Sequence, residues 1–174
     1  MISRLLPAAR CHFRSPFSVF RCTFLAMSSL HVLILAAGKG TRMKSLVPKV
    51  LHSVAGKPMI DYVLETAASL APATRTVIVG HMAPLVTEAL SRHHDTAVLL
   101  QEPQLGTGHA LMQAAPLYKD SKGTLVLLSG DVPRLTPGTL QKLLAEHHRT
   151  RAAATLLTAV VADPSGYGRV VRDA

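Results

Sequence analysis

Apolar runs alternate with amphipathic stretches along most of the chain. The apolar and β-branched runs predict strands at Val32–Ala36, Thr76–Val79, Ala97–Leu100, Thr124–Leu128 and Ala153–Val161. Helical spacing predicts helices at Ile60–Leu70, Pro84–Ser91, His109–Ala115 (closed by Pro116) and Pro137–His148 (capped by Thr136). This alternation favours an α/β fold with a Rossmann-like, open, mostly parallel sheet and helices on both faces.

The loops after three of these strands carry every unusual motif of the chain. They span residues 37–49, 101–108 and 129–134. The carboxyl ends of parallel strands meet at one edge of an open sheet, which is where such folds bind ligands. We therefore expect the three loops to form a single site.

The first loop combines a glycine turn with a cluster of cations, which is typical of polyphosphate binding. A Walker A motif is excluded, because its first glycine would fall at Leu33. A dinucleotide fingerprint is excluded because Met43 stands where its third glycine belongs. The alternative is a simple strand-to-helix turn with solvated side chains. The cations are Lys39, Arg42, Lys44 and Lys49.

The other two loops offer a metal ligand and base-reading amides. Asp131 follows a buried strand and is well placed to hold Mg²⁺, although it could equally cap a helix. Gln101 and Gln104 can donate to and accept from a nucleobase, or they can be ordinary surface residues. His109 could be catalytic, but we expect it to open a helix and to hydrogen-bond locally. The absence of G-x-S-x-G disfavours serine hydrolysis.

The net charge of +9 belongs to the first part of the chain. No acidic residue precedes Asp61, and the basic and acidic residues after that point balance. No basic patch with interleaved aromatics and no apolar run approaching the ~20 residues of a membrane span occurs, so we expect neither a nucleic-acid nor a membrane partner.

Residues 1–28 form an acid-free leader that contains the only two cysteines, Cys11 and Cys22. The leader resembles an organellar transit peptide. We favour a start codon assigned too early, with Met27 as the true start, because Pro7 and Pro16 interrupt any long amphipathic helix. We expect a disordered leader, a nucleotidyltransferase domain over residues 29–174, and a cytoplasmic location.

Four motifs give the chain a specific resemblance. They are L-A-A-G-K-G-T-R-M with the trailing P-K-V-L-H, Q-x-x-Q-L-G-T-G-H-A, S-G-D-V-P and G-Y-G-R. Together they resemble the sugar-phosphate nucleotidyltransferases of the MobA-like NTP transferase superfamily. Within it, the resemblance is to the uridyltransferase domain of the bacterial N-acetylglucosamine-1-phosphate uridyltransferases, and it covers residues 30–173.

This resemblance implies a fold of the nucleotide-diphospho-sugar transferase type and a reaction. The substrates would be UTP and N-acetylglucosamine 1-phosphate, and the products UDP-N-acetylglucosamine and pyrophosphate, with Mg²⁺ as cofactor. Arg42 and Lys49 would be catalytic, Asp131 would bind the metal, and Gly168 would contact the sugar. The implied nucleotide-binding residues are Leu35, Ala36, Ala37, Gly38, Gly40, Thr41, Lys49, Gln101, Gln104, Gly106 and Thr107.

The family has further sugar and metal residues after G-Y-G-R, and this chain stops before them. We therefore expect a C-terminally truncated domain whose nucleotide half is complete and whose sugar half is largely absent. The acetyltransferase β-helix is also missing, so no acetyl-CoA activity is implied. Two alternatives stay open: a related NTP transferase with another base or sugar, such as a molybdopterin guanylyltransferase-like protein, and a nucleotide-binding fragment without turnover.

Overall fold

The computed structural model describes residues 29–168 and 170–171, so the predictions for the leader at residues 1–28 lie outside the described residues. Within the described part, the longer strands are β1 (Ser29–Ala36), β4 (Thr74–Val79), β5 (Thr96–Leu100) and β6 (Gly123–Ser129), and a small hairpin pairs β2 (Ser53–Val54) with β3 (Lys57–Pro58). The helices are α1 (Met59–Ala68), α2 (Ala83–Leu90), α3 (Thr107–Tyr118) and α4 (Pro137–Thr150).

The longer strands form one parallel sheet in the order β5-β4-β1-β6. β1 is central because its apolar run can be buried on both faces, and Val32, Leu33 and Ile34 have no exposed surface. Parallel neighbours need crossover helices, which supply the two covering layers. The predicted α/β class and parallel sheet are confirmed.

The two faces of the sheet are covered unequally. Apolar side chains of α1, α2 and α4 pack with alternate residues of β1, β4 and β6 in the larger core cluster. Among the helices of the described residues, α3 alone packs on the opposite face, where Ala110 and Ala114 contact a cluster that contains Leu33 and Ile78. Small residues on α3 let this helix lie close to the strands. In the described residues no helix is long and apolar enough to span a bilayer.

The prediction that Pro116 ends a helix beginning at His109 is wrong at both ends. The helix begins at Thr107 and continues through Pro116 to Tyr118. A proline removes the hydrogen bond from its own nitrogen to the carbonyl four residues earlier. Since Pro116 lies in the last turn, little of the helix follows it.

The predicted strand at Ala153–Val161 is also wrong. The segment has no regular secondary structure and pairs with no described strand. Leu156 and Val160 are exposed, Val160 completely. β-branched and apolar residues favour strands chiefly through packing and pairing with neighbouring strands, and this segment has neither.

Candidate active site

A cavity of about 740 Å³ opens at the carboxyl ends of the parallel strands. Residues from all three motif loops line it, so the loops converge on one cavity, and their role in binding stays a prediction. The predicted nucleotide-binding residues and Asp131 all lie in its wall. Among the described side chains, those that line it are Leu35, Ala36, Ala37, Gly38, Lys39, Gly40, Thr41, Met43, Lys49, Val50, Gln101, Gln104, Gly106, Thr107, Ala110, Ser129 and Asp131.

The glycine turn is built around Gly40. Its φ of 58° lies in the left-handed region, and a Cβ placed there would come within 2.9 Å of the Lys49 Cβ. Gly38 differs, because a Cβ on it would meet no protein atom within 4 Å. The protein itself therefore leaves open space over Gly38, on the wall of the cavity.

Lys49 and Asp131 face each other in the cavity as an ion pair, in which Lys49 Nζ donates to Asp131 Oδ2. The side chain of Val50 anchors Lys49, because it is buried in the larger core cluster. On the other side, the Gly130 N–H donates to the carbonyl of Leu35 at 2.9 Å and fixes the turn that carries Asp131. Both charged side chains stay about one third exposed, so a ligand can reach them.

The amide loop follows β5 and is tied to the end of the neighbouring strand β4. The Gln101 N–H donates to the Val79 carbonyl at 2.7 Å, and Gln101 is 2% exposed. The Gln104 carboxamide donates to the Gln101 carbonyl at 3.2 Å. Gly80 allows this close packing, since a Cβ there would lie 2.8 Å from the Ala37 Cβ and 3.1 Å from the Gln104 Cγ.

Two predicted residues remain to be placed relative to the cavity, Arg42 and Gly168. Arg42 lies in a 3₁₀ turn over Thr41–Met43, whose first and last residues do line it. Gly168 is exposed, follows the turn at Asp163 and is not among the lining residues. In that turn, the Ser165 hydroxyl and, to a smaller extent, the Ser165 N–H donate hydrogen bonds that lower the pKa of the Asp163 carboxyl.

Sequence reasoning assigned no binding role to four lining residues, Met43, Val50, Ala110 and Ser129. Ser129 ends β6 directly before Gly130 and Asp131, so its position at a strand tip was a usable signal. Val50 and Ala110 are small apolar residues whose role follows from packing alone. Both stand within the quoted motifs, but a small apolar side chain has no chemical property that marks it as a lining residue.

The cavity could hold a metal ion only with the help of oxygens from a bound ligand. Residues 29–168 and 170–171 contain no group of three or more His, Cys, Asp or Glu side chains able to hold an ion. Mg²⁺ is commonly held by one or two carboxylates, with water and substrate phosphates completing its shell. Asp131 alone therefore fits such an ion if a polyphosphate supplies the remaining oxygens.

Solved structures of similar fold include a nucleotidyl transferase. A nucleotidyl transferase from Methanothermobacter is 28% identical, with a TM-score of 0.58 over 68% of this chain and 57% of that protein. The protein Rv0371c from Mycobacterium tuberculosis H37Rv has a TM-score of 0.55 at 23% identity, over 68% of this chain and 60% of that one. These likenesses agree with the parallel sheet described above.

Relatives by sequence are more similar. The bifunctional protein GlmU of Brevibacillus brevis is 52% identical over 147 residues, which is 84% of this chain and 32% of that protein. GlmU of Prochlorococcus marinus strain NATL2A is 51% identical over 144 residues, or 83% of this chain and 32% of that protein. The chain spans about a third of the length of these curated relatives.

A family model also matches most of the chain. It is the MobA-like NTP transferase domain, and it covers residues 32–171. This range includes the glycine turn, the amide loop and Asp131, which together form the wall of the cavity. The chain therefore belongs to the family of MobA-like NTP transferase domains.

Proposed function

We propose that this chain is a nucleotidyltransferase domain that forms UDP-N-acetylglucosamine and pyrophosphate from UTP and N-acetylglucosamine 1-phosphate. The observation that carries the proposal is one cavity that contains both the Lys49–Asp131 pair and the Gln101–Gln104 amide loop. The first suits a triphosphate and the second a nucleobase. The GlmU relatives at about 50% identity support the choice of sugar. The domain boundaries at residues 29–174 and the cytoplasmic location belong to the same proposal.

The glycine turn would hold the triphosphate. The open space over Gly38 allows phosphate oxygens to approach the backbone, and Lys49 projects into the same cavity. Cations placed where charge develops stabilise the transition state of phosphoryl transfer. We assign this role to Lys49 and to Arg42 of the neighbouring 3₁₀ turn.

The ion pair between Lys49 and Asp131 prepares the site for its ligand. In the free protein each side chain balances the charge of the other. A triphosphate would take the ammonium group of Lys49, and Asp131 would then be available to hold a divalent cation. When bound, Mg²⁺ would neutralise part of the phosphate charge. The carboxylate of Asp131 would keep that charge near the reacting phosphates.

The reaction is a direct displacement. A phosphate oxygen of the sugar phosphate attacks the α-phosphorus of UTP, the bond from that phosphorus to the bridging oxygen breaks, and pyrophosphate leaves with the electron pair. Held in line, the two reactants need no covalent intermediate with the protein, and positioning supplies much of the rate. Gly168, which the motif resemblance assigns to the sugar, would have to approach the cavity when the sugar phosphate binds.

Pyrophosphate release from the full chain tests the proposal. We expect release with UTP, N-acetylglucosamine 1-phosphate and Mg²⁺ together, and none when either substrate is left out. Binding of UTP without any release would favour a nucleotide-binding domain without turnover. Stabilisation of the fold by GTP but not by UTP, measured by thermal denaturation, would refute the assignment of the base.

A further inference from the structure

The base-reading carboxamide of Gln101 is held by a chain of hydrogen bonds that leads away from the cavity. Gln101 Nε2 lies 3.0 Å from the carbonyl oxygen of Gly106 and 3.1 Å from His109 Nδ1. A carbonyl oxygen can only accept, so the amide nitrogen of Gln101 must face it. The orientation of this carboxamide is therefore determined by its neighbours.

The same contacts determine the state of His109. Since both hydrogens of the Gln101 amide point to acceptors, Nδ1 of the imidazole must be unprotonated, and the ring proton must sit on Nε2. Nε2 lies 3.1 Å from the carboxamide nitrogen of Gln113. A half-turn of that partly exposed carboxamide brings its oxygen to this place, where it accepts the Nε2 proton.

These bonds leave Gln101 with one free polar atom. Its Oε1 receives no hydrogen bond among those formed by the described residues, and the side chain lines the cavity. Gln101 thus offers a ligand an acceptor and no donor. Uracil presents an N3–H donor at its pairing edge, whereas cytosine presents an unprotonated N3 there. An acceptor at this position favours uracil over cytosine.

We propose that His109 is a positioning residue that determines the base selectivity of the site. Its neutral, Nε2-protonated ring accepts from Gln101 and keeps Oε1 directed toward the base. His109 is not among the lining residues of the cavity, so it acts through Gln101 and does not touch the nucleotide. The inference rests on the proposed function, because it requires a uridine nucleotide in the cavity.

Removing His109 should weaken selectivity rather than abolish binding. In the wild type, a 180° rotation of the Gln101 carboxamide breaks two hydrogen bonds, those to Gly106 and His109. Without His109, the same rotation breaks only the bond to Gly106. One net hydrogen bond corresponds to a factor of about five in an equilibrium constant. We therefore expect the ratio of the CTP and UTP dissociation constants to fall about fivefold.

The test measures the dissociation constants of UTP and CTP for the full chain and three variants. His109→Leu removes the Nδ1 acceptor, and we expect the ratio of the CTP and UTP dissociation constants to fall about fivefold in this variant. His109→Asn can place its Oδ1 where Nδ1 was, so the selectivity should largely return. His94→Leu makes the same change at an exposed histidine and should leave the ratio unchanged. Chemical denaturation of each variant checks that it folds.

The outcomes separate this inference from the proposed function. A wild-type chain that prefers UTP, together with an unchanged ratio in His109→Leu, overturns the role of His109 and leaves the proposed function standing. A wild-type chain that binds no UTP refutes the proposed function, and the inference fails with it. Nitrogen-15 spectra of labelled histidine add an independent readout, since a proton on Nδ1 of His109 would contradict the proposal.

Discussion

Gly38 and Gly40 stand two residues apart in the same turn, yet alanine should affect them in opposite ways. Alanine at Gly40 must adopt a φ of 58° and bring its Cβ to 2.9 Å from the Lys49 Cβ. The left-handed conformation alone costs an alanine about 1–2 kcal/mol, so Gly40→Ala should lower the free energy of unfolding by at least this amount.

Alanine at Gly38 meets no protein atom within 4 Å, and its backbone φ lies outside the left-handed region. Such a change stabilises a protein by about 0.4–1 kcal/mol, because it restricts the unfolded chain. The added methyl group would occupy space that the account assigns to the triphosphate. We therefore expect Gly38→Ala to keep or raise stability and to weaken UTP binding at least tenfold, or about 1.4 kcal/mol.

Urea denaturation and titration calorimetry with UTP measure the two quantities. Gly138→Ala is the matched control, because Gly138 lies near the start of α4, has equal room for a Cβ and does not line the cavity. It should leave UTP affinity unchanged. If Gly38→Ala bound UTP as well as the wild type, the nucleotide would not occupy the space over this glycine and the reasoning would be refuted.

Three further predictions concern charged groups. Arg42→Ala or Lys49→Ala should reduce pyrophosphate release at least about 100-fold without unfolding the domain; near-normal rates in either variant would remove its triphosphate role. Asp131→Asn should abolish the effect of Mg²⁺ on UTP affinity in calorimetry, and an unchanged effect would place the metal elsewhere. Asp61→Ala should lower the free energy of unfolding by about 2 kcal/mol, because the buried carboxylate accepts from Arg92 at 2.6 Å and contacts His93 Nε2 at 3.1 Å. UTP affinity should not change in this variant, since Asp61 does not line the cavity.

The central strand and the site loops were predictable because their signals are local. A continuous apolar run indicated β1, and the motifs after the strands indicated which loops would meet. The cap at Thr136 was equally local: its Oγ1 accepts from the Thr139 N–H at 3.3 Å, and α4 begins at Pro137 as predicted. In each case the physical cause lies within a few residues of its effect.

The features that sequence reasoning missed depend on partners far apart in the chain or on tertiary packing. Asp61 contacts Arg92 and His93, which lie more than 30 positions further along the chain, and no local pattern marks those contacts. The segment at Ala153–Val161 has strand propensity, but a strand also needs a neighbour to pair with. His109 was correctly expected to hydrogen-bond locally, but only the structure shows that its partner is the Gln101 carboxamide.

A crystal structure of the chain with UTP and Mg²⁺ tests the central claim most directly. We predict that the uracil lies against Gln101 with its N3–H toward Oε1, and that the triphosphate lies over Gly38 with Lys49 turned from Asp131 to the phosphates. UTP bound outside this cavity, or inside it with the triphosphate toward Gln101, would contradict the account.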